Sequence, residues 1–133
     1  MRYRLLYLGV AVSVVPVGLI SRSLRSGSVP SSPVGFIAAY LPDTVWATMF
    51  FFLFAAVLVR WRTWSLAALT LAFTFTIEAA QLYQGEPLDT LRSIPWIHFL
   101  LGTKFLWTDL VCLCVGTTMA AALHHLIRSK QTI

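Results

Sequence analysis

Four mostly apolar stretches dominate the sequence and limit what the chain can fold into; they span about residues 3–20, 42–59, 65–83 and 106–127. A helix needs about 20 apolar residues to cross the hydrocarbon core of a bilayer, so each stretch is long enough for one transmembrane helix. Charged residues make up 11% of the chain, against about 25% in soluble domains. A soluble domain of 133 residues buries too little surface to hide so many apolar side chains. The sequence therefore predicts an all-α, polytopic membrane protein with one transmembrane domain over residues 1–133.

The connections between the predicted spans differ in length and character. Residues 60–63 form so short a connection that the second and third spans must be antiparallel neighbours. Residues 21–33 are rich in serine, glycine and proline, which predicts a turn-rich loop. The longest connection, residues 84–105, contains an apolar stretch at 94–101 that is too short to span a bilayer. We expect this stretch to form an interfacial or re-entrant segment between the third and fourth spans.

The distribution of basic residues sets the expected orientation. The net charge is +5, but Lys and Arg flank the apolar stretches, so we expect no nucleic-acid binding. Six of them lie on the side of both termini and four on the other: Arg2, Arg4, Arg60, Arg62, Arg128 and Lys130 against Arg22, Arg25, Arg92 and Lys104. This bias predicts that both termini are cytoplasmic. Because no small-residue cleavage site follows the first span, we expect that span to be retained.

The third span carries an ionisable residue, Glu78, which is costly within a bilayer and is therefore a candidate for function. Four polar residues of this span lie four, four and three positions apart, which places them on one face of a helix: Thr70, Thr74, Glu78 and Gln81. We expect this polar face to point at other helices or at a water-filled pocket, not at lipid.

The expected topology brings several polar residues to the outward end of the bundle. Asp43 and Asp109 stand at the predicted starts of the second and fourth spans, and Glu78 lies toward the end of the third. The resulting hypothesis is an outward-facing ligand pocket formed by Asp43, Glu78, Gln81, Arg92, Trp107 and Asp109.

Each of these residues also fits a purely structural role. Asp43 and Asp109 fit helix N-caps, because the helix dipole favours a carboxylate there. Glu78 and Arg92 fit a structural ion pair, and Trp107 fits an anchor at the membrane interface. The sequence leaves these alternatives open.

Small residues recur every four positions in the fourth span, at Cys112, Gly116 and Ala120. This ridge predicts close packing against another helix. The two cysteines are two positions apart, so on a helix they point in different directions and cannot form a disulfide. The His and Cys spacings match no metal site, and we expect no cofactor. His124 and His125 are interpreted as ordinary polar residues near a helix end.

Several short motifs follow one another between residues 41 and 116. They are Glu78-x-x-Gln81-Leu82-Tyr83, Leu91-Arg92, Leu101-Gly102, Phe105-x-Trp107-x-Asp109-Leu110 and Gly116, preceded by Pro42-Asp43-x-x-Trp46-Ala47. This order resembles the DUF2809 family of small bacterial membrane proteins of unknown function, although the family has glycine where this chain has Pro42. The resemblance implies a multi-pass protein of the bacterial inner membrane. The chain is more loosely similar to VanZ-like proteins. The asparagine expected after the aspartate is missing there, so no drug-resistance role is carried over.

Three functions fit these features. The first is a non-enzymatic protein whose outward pocket binds a lipid-linked or amphiphilic ligand, with Arg92 pairing a phosphate or carboxylate. The second is a small enzyme in which Glu78 acts as general acid or base on a lipid head group. It ranks lower because the sequence shows no nucleophile and no metal triad. The third is an assembly role, in which the small-residue ridge packs against a second copy or another membrane protein.

Overall fold

The computed structural model describes residues 2–24, 31–101 and 105–130, and the chain there forms six helices. In chain order they are α1 (Arg2–Leu24), α2 (Pro33–Val57), α3 (Thr63–Leu82), α4 (Leu88–Arg92), α5 (Pro95–Leu101) and α6 (Trp107–Ser129). Arg25, Gly102 and Lys104, which the sequence analysis used for topology and motif matching, lie outside the described residues.

Four of these helices, α1, α2, α3 and α6, are long and apolar enough to cross a membrane. This confirms the predicted all-α polytopic class, and the bounds of α3 and α6 lie within two residues of the predicted spans. Between them, α4 and α5 have 5 and 7 residues, too few to span. The apolar stretch at 94–101 therefore adds a short helix and not a fifth span.

The predicted start of the second span at Pro42 is wrong, because α2 begins at Pro33. Ser32 is the N-cap, and its hydroxyl accepts a hydrogen bond of 3.0 Å from the backbone N–H of Gly35. Proline at the first helical position fits this start, because its missing N–H would have no partner there in any case. Pro42 lies buried inside the helix, where a transmembrane helix tolerates proline better than a soluble one does.

The helix α2 lies at the centre of the bundle and packs against α1, α3 and α6, while α6 also packs against α3. The core between them is built from aromatic rings and small side chains: Tyr7, Ala11, Phe51, Phe52, Ala55, Ala56, Leu66 and Ala120. The short connection at 58–62 lets α2 and α3 contact each other, as its length predicts. Arg128 closes this turn by donating a hydrogen bond of 2.7 Å to the carbonyl of Trp61.

The acidic end is where α3 ends and α6 begins, and it holds Glu78 and Asp109 together with Asp43 of α2. The basic end is where α2 ends and α3 begins, and it holds Arg60, Arg62 and Arg128.

Candidate functional site

The polar face of α3 turns into the bundle, as its spacing predicts. Thr70, Thr74, Glu78 and Gln81 are all buried, with exposed fractions of 0, 2, 8 and 8%. The hydroxyls of Thr70 and Thr74 donate hydrogen bonds of 2.8 Å to the carbonyls of Leu66 and Thr70 on the same helix. The donors of both threonines are therefore satisfied within α3.

Three carboxyl groups from three helices meet at the acidic end. Asp43 of α2 and Asp109 of α6 lie close enough for their charges to act on Glu78 of α3. Glu78 and Asp109 are each 8% exposed, and Asp43 is half-buried. Gln81, one turn beyond Glu78, supplies a side-chain hydrogen bond to its carboxylate. We call Asp43, Glu78 and Asp109 the carboxylate cluster.

One carboxylate oxygen of Glu78 is unsatisfied by protein. The Oε2 atom of Glu78 is buried and has no hydrogen-bond partner in the described part of the chain. Buried polar atoms are nearly always hydrogen-bonded, and each exception calls for an explanation. Three carboxyl groups close together also repel one another when ionised. A proton or a positively charged group near Glu78 would lower this repulsion.

Two further side chains, which were not predicted as part of the site, lie beside the carboxylate cluster. The charges of Asp43 and Asp109 act electrostatically on the thiol of Cys112. The thiol also forms a side-chain hydrogen bond with Thr44. Both residues are neighbours of the acids on their own helices, Thr44 directly after Asp43 and Cys112 one turn after Asp109. Their positions next to the acids along the sequence could have indicated that they lie near the site.

The N-cap alternative for the two aspartates does not hold. Asp43 lies well inside α2, whose N-cap is Ser32. Asp109 is the third residue of α6, and the N-cap position is Leu106, with no side-chain cap bond. The helix dipole still favours a carboxylate in the first turn of α6, which lowers the cost of Asp109 there.

Arg92 lies beside the end of α3 but serves its backbone. Its Nη1 donates to the carbonyl of Tyr83 (3.0 Å) and to Asp89 Oδ1 (2.8 Å), and its Nη2 donates to the carbonyl of Ala80 (2.8 Å). Ala80 is near the end of α3 and Tyr83 directly follows it, where carbonyls lack the usual partner four residues on. The ion pair of Arg92 is thus with Asp89 and not with Glu78. Its role is to cap α3 and to tie α4 to it.

Trp107, the remaining predicted pocket residue, turns away from the carboxylate cluster. It is 77% exposed, which matches the alternative of an anchor at the membrane interface. Trp96 on α5 is exposed to a similar extent, at 84%. The structure therefore brings together Asp43, Glu78, Gln81 and Asp109, and leaves Arg92 and Trp107 in structural positions.

The small-residue ridge of α6 packs against α2 of the same chain. A Cβ atom added to Gly116 would overlap the carbonyl oxygen of Thr44, and Thr48 Oγ1 donates a 3.2 Å hydrogen bond to the Gly116 carbonyl. Cys112 and Ala120 are 7% and 1% exposed. The ridge thus packs α6 closely against α2, the helices that carry Asp109 and Asp43.

At the basic end, the interpretation of His124 as an ordinary helix-end residue is wrong. Its side chain is fully buried between the rings of Tyr7 and Phe51, at centroid distances of 5.1 and 5.6 Å. Its Nδ1 shares a 3.0 Å hydrogen bond with Thr63 Oγ1, and its Nε2 has no partner among the described residues. His125, the next residue, is exposed as predicted.

Contacts at both ends fix the antiparallel register of α3 and α6. Thr63 pairs with His124 at the basic end, and the charge of Asp109 acts on Glu78 at the acidic end. The step from 63 to 78 and the step from 109 to 124 are both 15 residues, or about 22 Å of helix. The two observations therefore agree with each other and place Glu78 and His124 near opposite ends of the bundle.

Comparison with known proteins gives a family but no function. A sequence model of the family described as "Protein of unknown function (DUF2809)" matches residues 33–117, which include the carboxylate cluster, Arg92 and Gly116. No solved structure matches the chain. Within the described residues no group of three His, Cys, Asp or Glu side chains is arranged to hold a metal ion.

Proposed function

The chain belongs to the DUF2809 family, whose function is unknown, and we propose that it binds the positively charged head group of an amphiphile at its carboxylate cluster. The unpartnered, buried Oε2 of Glu78 carries this proposal. A buried carboxylate oxygen without a partner is costly, and a cation that supplies a hydrogen bond to it offsets that cost.

The negative charge of the carboxylate cluster favours a ligand with a positive charge. The sequence suggested that Arg92 would pair a phosphate or carboxylate, but its guanidinium is held by Asp89 and by the last carbonyls of α3. Asp43, Glu78 and Asp109 then favour a cation over an anion. A primary ammonium has three N–H donors and no acceptor, which suits a site that offers carboxylate oxygens.

The apolar part of the ligand follows from the surroundings of the site. The four long helices expose large apolar side chains around the bundle, as expected of a protein that is embedded in lipid. A ligand with an alkyl tail can keep that tail in the bilayer while its head group reaches the carboxylates. We further propose that the acidic end faces outward and both termini are cytoplasmic, in a bacterial inner membrane, which the Lys and Arg bias supports.

Binding of dodecylamine to the purified protein in a neutral maltoside detergent tests the proposal. We expect a 1:1 complex by native mass spectrometry and titration calorimetry. Glu78→Gln should weaken it by about 10-fold or more, the effect of losing one hydrogen bond to a charged group. Glu86→Gln, a change of the same type at an exposed position, should leave binding unchanged.

Two further probes separate the effect of the head-group charge from the effect of the hydrophobic tail. Dodecanol has the same tail without the charge, and dodecyl sulfate has the opposite charge; both should bind more weakly than dodecylamine. Equal affinity for dodecanol, or unchanged affinity of the Glu78→Gln variant, would show that the carboxylate cluster does not recognise the head group.

A further inference from the structure

The basic end of the bundle carries exposed positive charge at the start of α1, in the turn between α2 and α3 and at the end of α6. Its basic residues are all exposed: Arg2, Arg4, Arg60, Arg62, Arg128 and Lys130.

No acidic side chain neutralises this charge. The five acids of the chain all lie toward the acidic end: Asp43, Glu78, Glu86, Asp89 and Asp109. About 20 Å of helix or more separates them from the basic end. That distance exceeds the length of about 8 Å over which salt screens charges under physiological conditions. The basic end therefore presents a surplus of positive charge to whatever lies against it.

Three of the arginines lie around one turn. Arg60 and Arg62 flank Trp61 in the chain, and Arg128 of α6 donates a hydrogen bond of 2.7 Å to the Trp61 carbonyl. This bond holds the guanidinium of Arg128 beside the turn that carries the other two. We call Arg60, Arg62 and Arg128 the arginine cluster.

The positive charge continues from the arginine cluster toward α1. Arg128 lies close enough to Tyr7 of α1 for its charge to act on the phenol. Arg4 lies three positions before Tyr7, which places the two residues on the same face of α1. The basic surface thus joins the turn between α2 and α3, the end of α6 and the start of α1.

Exposed tryptophans mark the depth of the arginine cluster in the membrane. Trp61 lies within the turn and is 44% exposed, and Trp64 in the first turn of α3 is 83% exposed. Exposed tryptophans of membrane proteins typically lie at the level of the lipid head groups. The apolar lengths of α2, α3 and α6 extend from this level into the bilayer. The arginine cluster therefore lies where phospholipids carry their phosphates.

We propose that the arginine cluster binds the head-group phosphate of an anionic phospholipid. The forked guanidinium donates two hydrogen bonds that match the oxygens of a phosphate. An anionic head group leaves the charge of its phosphate unbalanced, whereas a zwitterionic one carries its own cation. A lipid suits the site better than free phosphate does, because its tails lie along the apolar helices while its head group meets the arginines.

Titration of the purified full chain with two lipids in a neutral maltoside detergent tests the proposal. Dioleoyl phosphatidylglycerol is anionic and dioleoyl phosphatidylcholine is zwitterionic, and their tails are identical. Native mass spectrometry counts the bound lipid at each concentration. We expect phosphatidylglycerol to bind with a dissociation constant about 10-fold lower or more. Raising the concentration of ammonium acetate should reduce this preference, because salt screens exposed charges.

The double variant Arg60→Gln with Arg62→Gln removes two charges of the arginine cluster at exposed positions. It should weaken phosphatidylglycerol binding by about 25-fold, or about fivefold for each arginine. Arg60→Lys with Arg62→Lys keeps both charges and should stay within about threefold of wild type, since only the forked geometry is lost.

A second control changes the net charge at the other end of the bundle. Thr90→Glu with Ser93→Glu lowers the net charge by the same two units at exposed positions of the α4 region. This variant should bind phosphatidylglycerol as wild type does. Circular dichroism and gel filtration check that each variant is folded, and if the glutamine variant does not fold, the lipid comparison and the salt series on wild type decide.

Four results would each overturn the proposal. They are equal affinity of wild type for the two lipids, unchanged affinity of the glutamine variant for phosphatidylglycerol, an equal loss in the Thr90 and Ser93 control, and displacement of the lipid by inorganic phosphate at the same concentration. The last result would indicate a site for small anions. The arginine cluster shares no residue with the carboxylate cluster, so dodecylamine binding stands or falls separately.

Discussion

At the basic end of the bundle, Arg60, Arg62 and Arg128 lie on the surface, whereas at the acidic end Glu78 and Asp109 lie between helices. Arg60, Arg62 and Arg128 are exposed, and Arg128 donates to the carbonyl of Trp61. Glu78 and Asp109 are each 8% exposed, and one Glu78 oxygen has no partner within the described residues. The basic charges therefore cost little and suit an orientation signal, while the acidic ones cost free energy and suit a functional site.

The comparison extends to the neutral polar groups. At the basic end, His124 is more deeply buried than any of the acids, yet it still forms a hydrogen bond to Thr63 across two helices. At the acidic end, the only base described near the cluster is Arg92, and it is occupied by Asp89 and the end of α3. The two ends thus differ in surplus charge as well as in burial.

The largest expected effect is all-or-none and tests which end faces out. In a background with Cys112→Ala and Cys114→Ala, a cysteine at Glu86 should react with an impermeant maleimide added to intact cells. A cysteine at Arg62 should react only after the cells are lysed. Both positions are exposed, so accessibility within the fold is matched. The opposite labelling pattern would reverse the assignment of outward and cytoplasmic ends.

A large loss of stability is expected from Gly116→Leu. This change disrupts the close packing of α6, which carries Asp109, against α2, which carries Asp43. Any Cβ at this position overlaps the carbonyl oxygen of Thr44 on α2, so the helices must separate. We expect the free energy of unfolding to fall by about 3 kcal/mol or more. Thermal unfolding in detergent, followed by circular dichroism, measures it.

Gly9→Leu is the matched control, because a Cβ at Gly9 meets no atom within 4 Å. It should melt close to wild type. Equal melting temperatures for the two variants would mean that α2 and α6 do not approach closely at Gly116, and the carboxylate cluster would lose its structural support.

Spans were predictable from the sequence because the length of an apolar stretch decides them. The bounds of α3, Thr63–Leu82, differ from the predicted 65–83 by at most two residues. The start of α2 was missed because Pro42 was taken as a helix start. The Ser32–Pro33 pair is the stronger signal, since it satisfies the first N–H groups and needs none at proline.

For the site, helix periodicity predicted which α3 residues turn inward but could not say what they meet. The partner of Arg92 depends on the path of residues 83–92, which bring Asp89 and the end of α3 to the same guanidinium. The burial of His124 depends on Tyr7 and Phe51 from two other helices. Spacing along α6 contains no information about those partners, so the burial of His124 was missed.

The smallest expected effect tests whether Arg92 caps the end of α3 or binds the ligand. Arg92→Ala removes the hydrogen bonds to the carbonyls of Ala80 and Tyr83 and should lower the free energy of unfolding by about 2 kcal/mol. Asp89→Ala removes only the ion pair, whose acid is 52% exposed, and should cost less than about 1 kcal/mol. Dodecylamine affinity of the folded Arg92→Ala protein should stay near that of wild type, because the guanidinium is engaged by α3 and Asp89. A loss of affinity as large as that of Glu78→Gln, with stability unchanged, would return Arg92 to the ligand site and remove the argument for a cationic ligand.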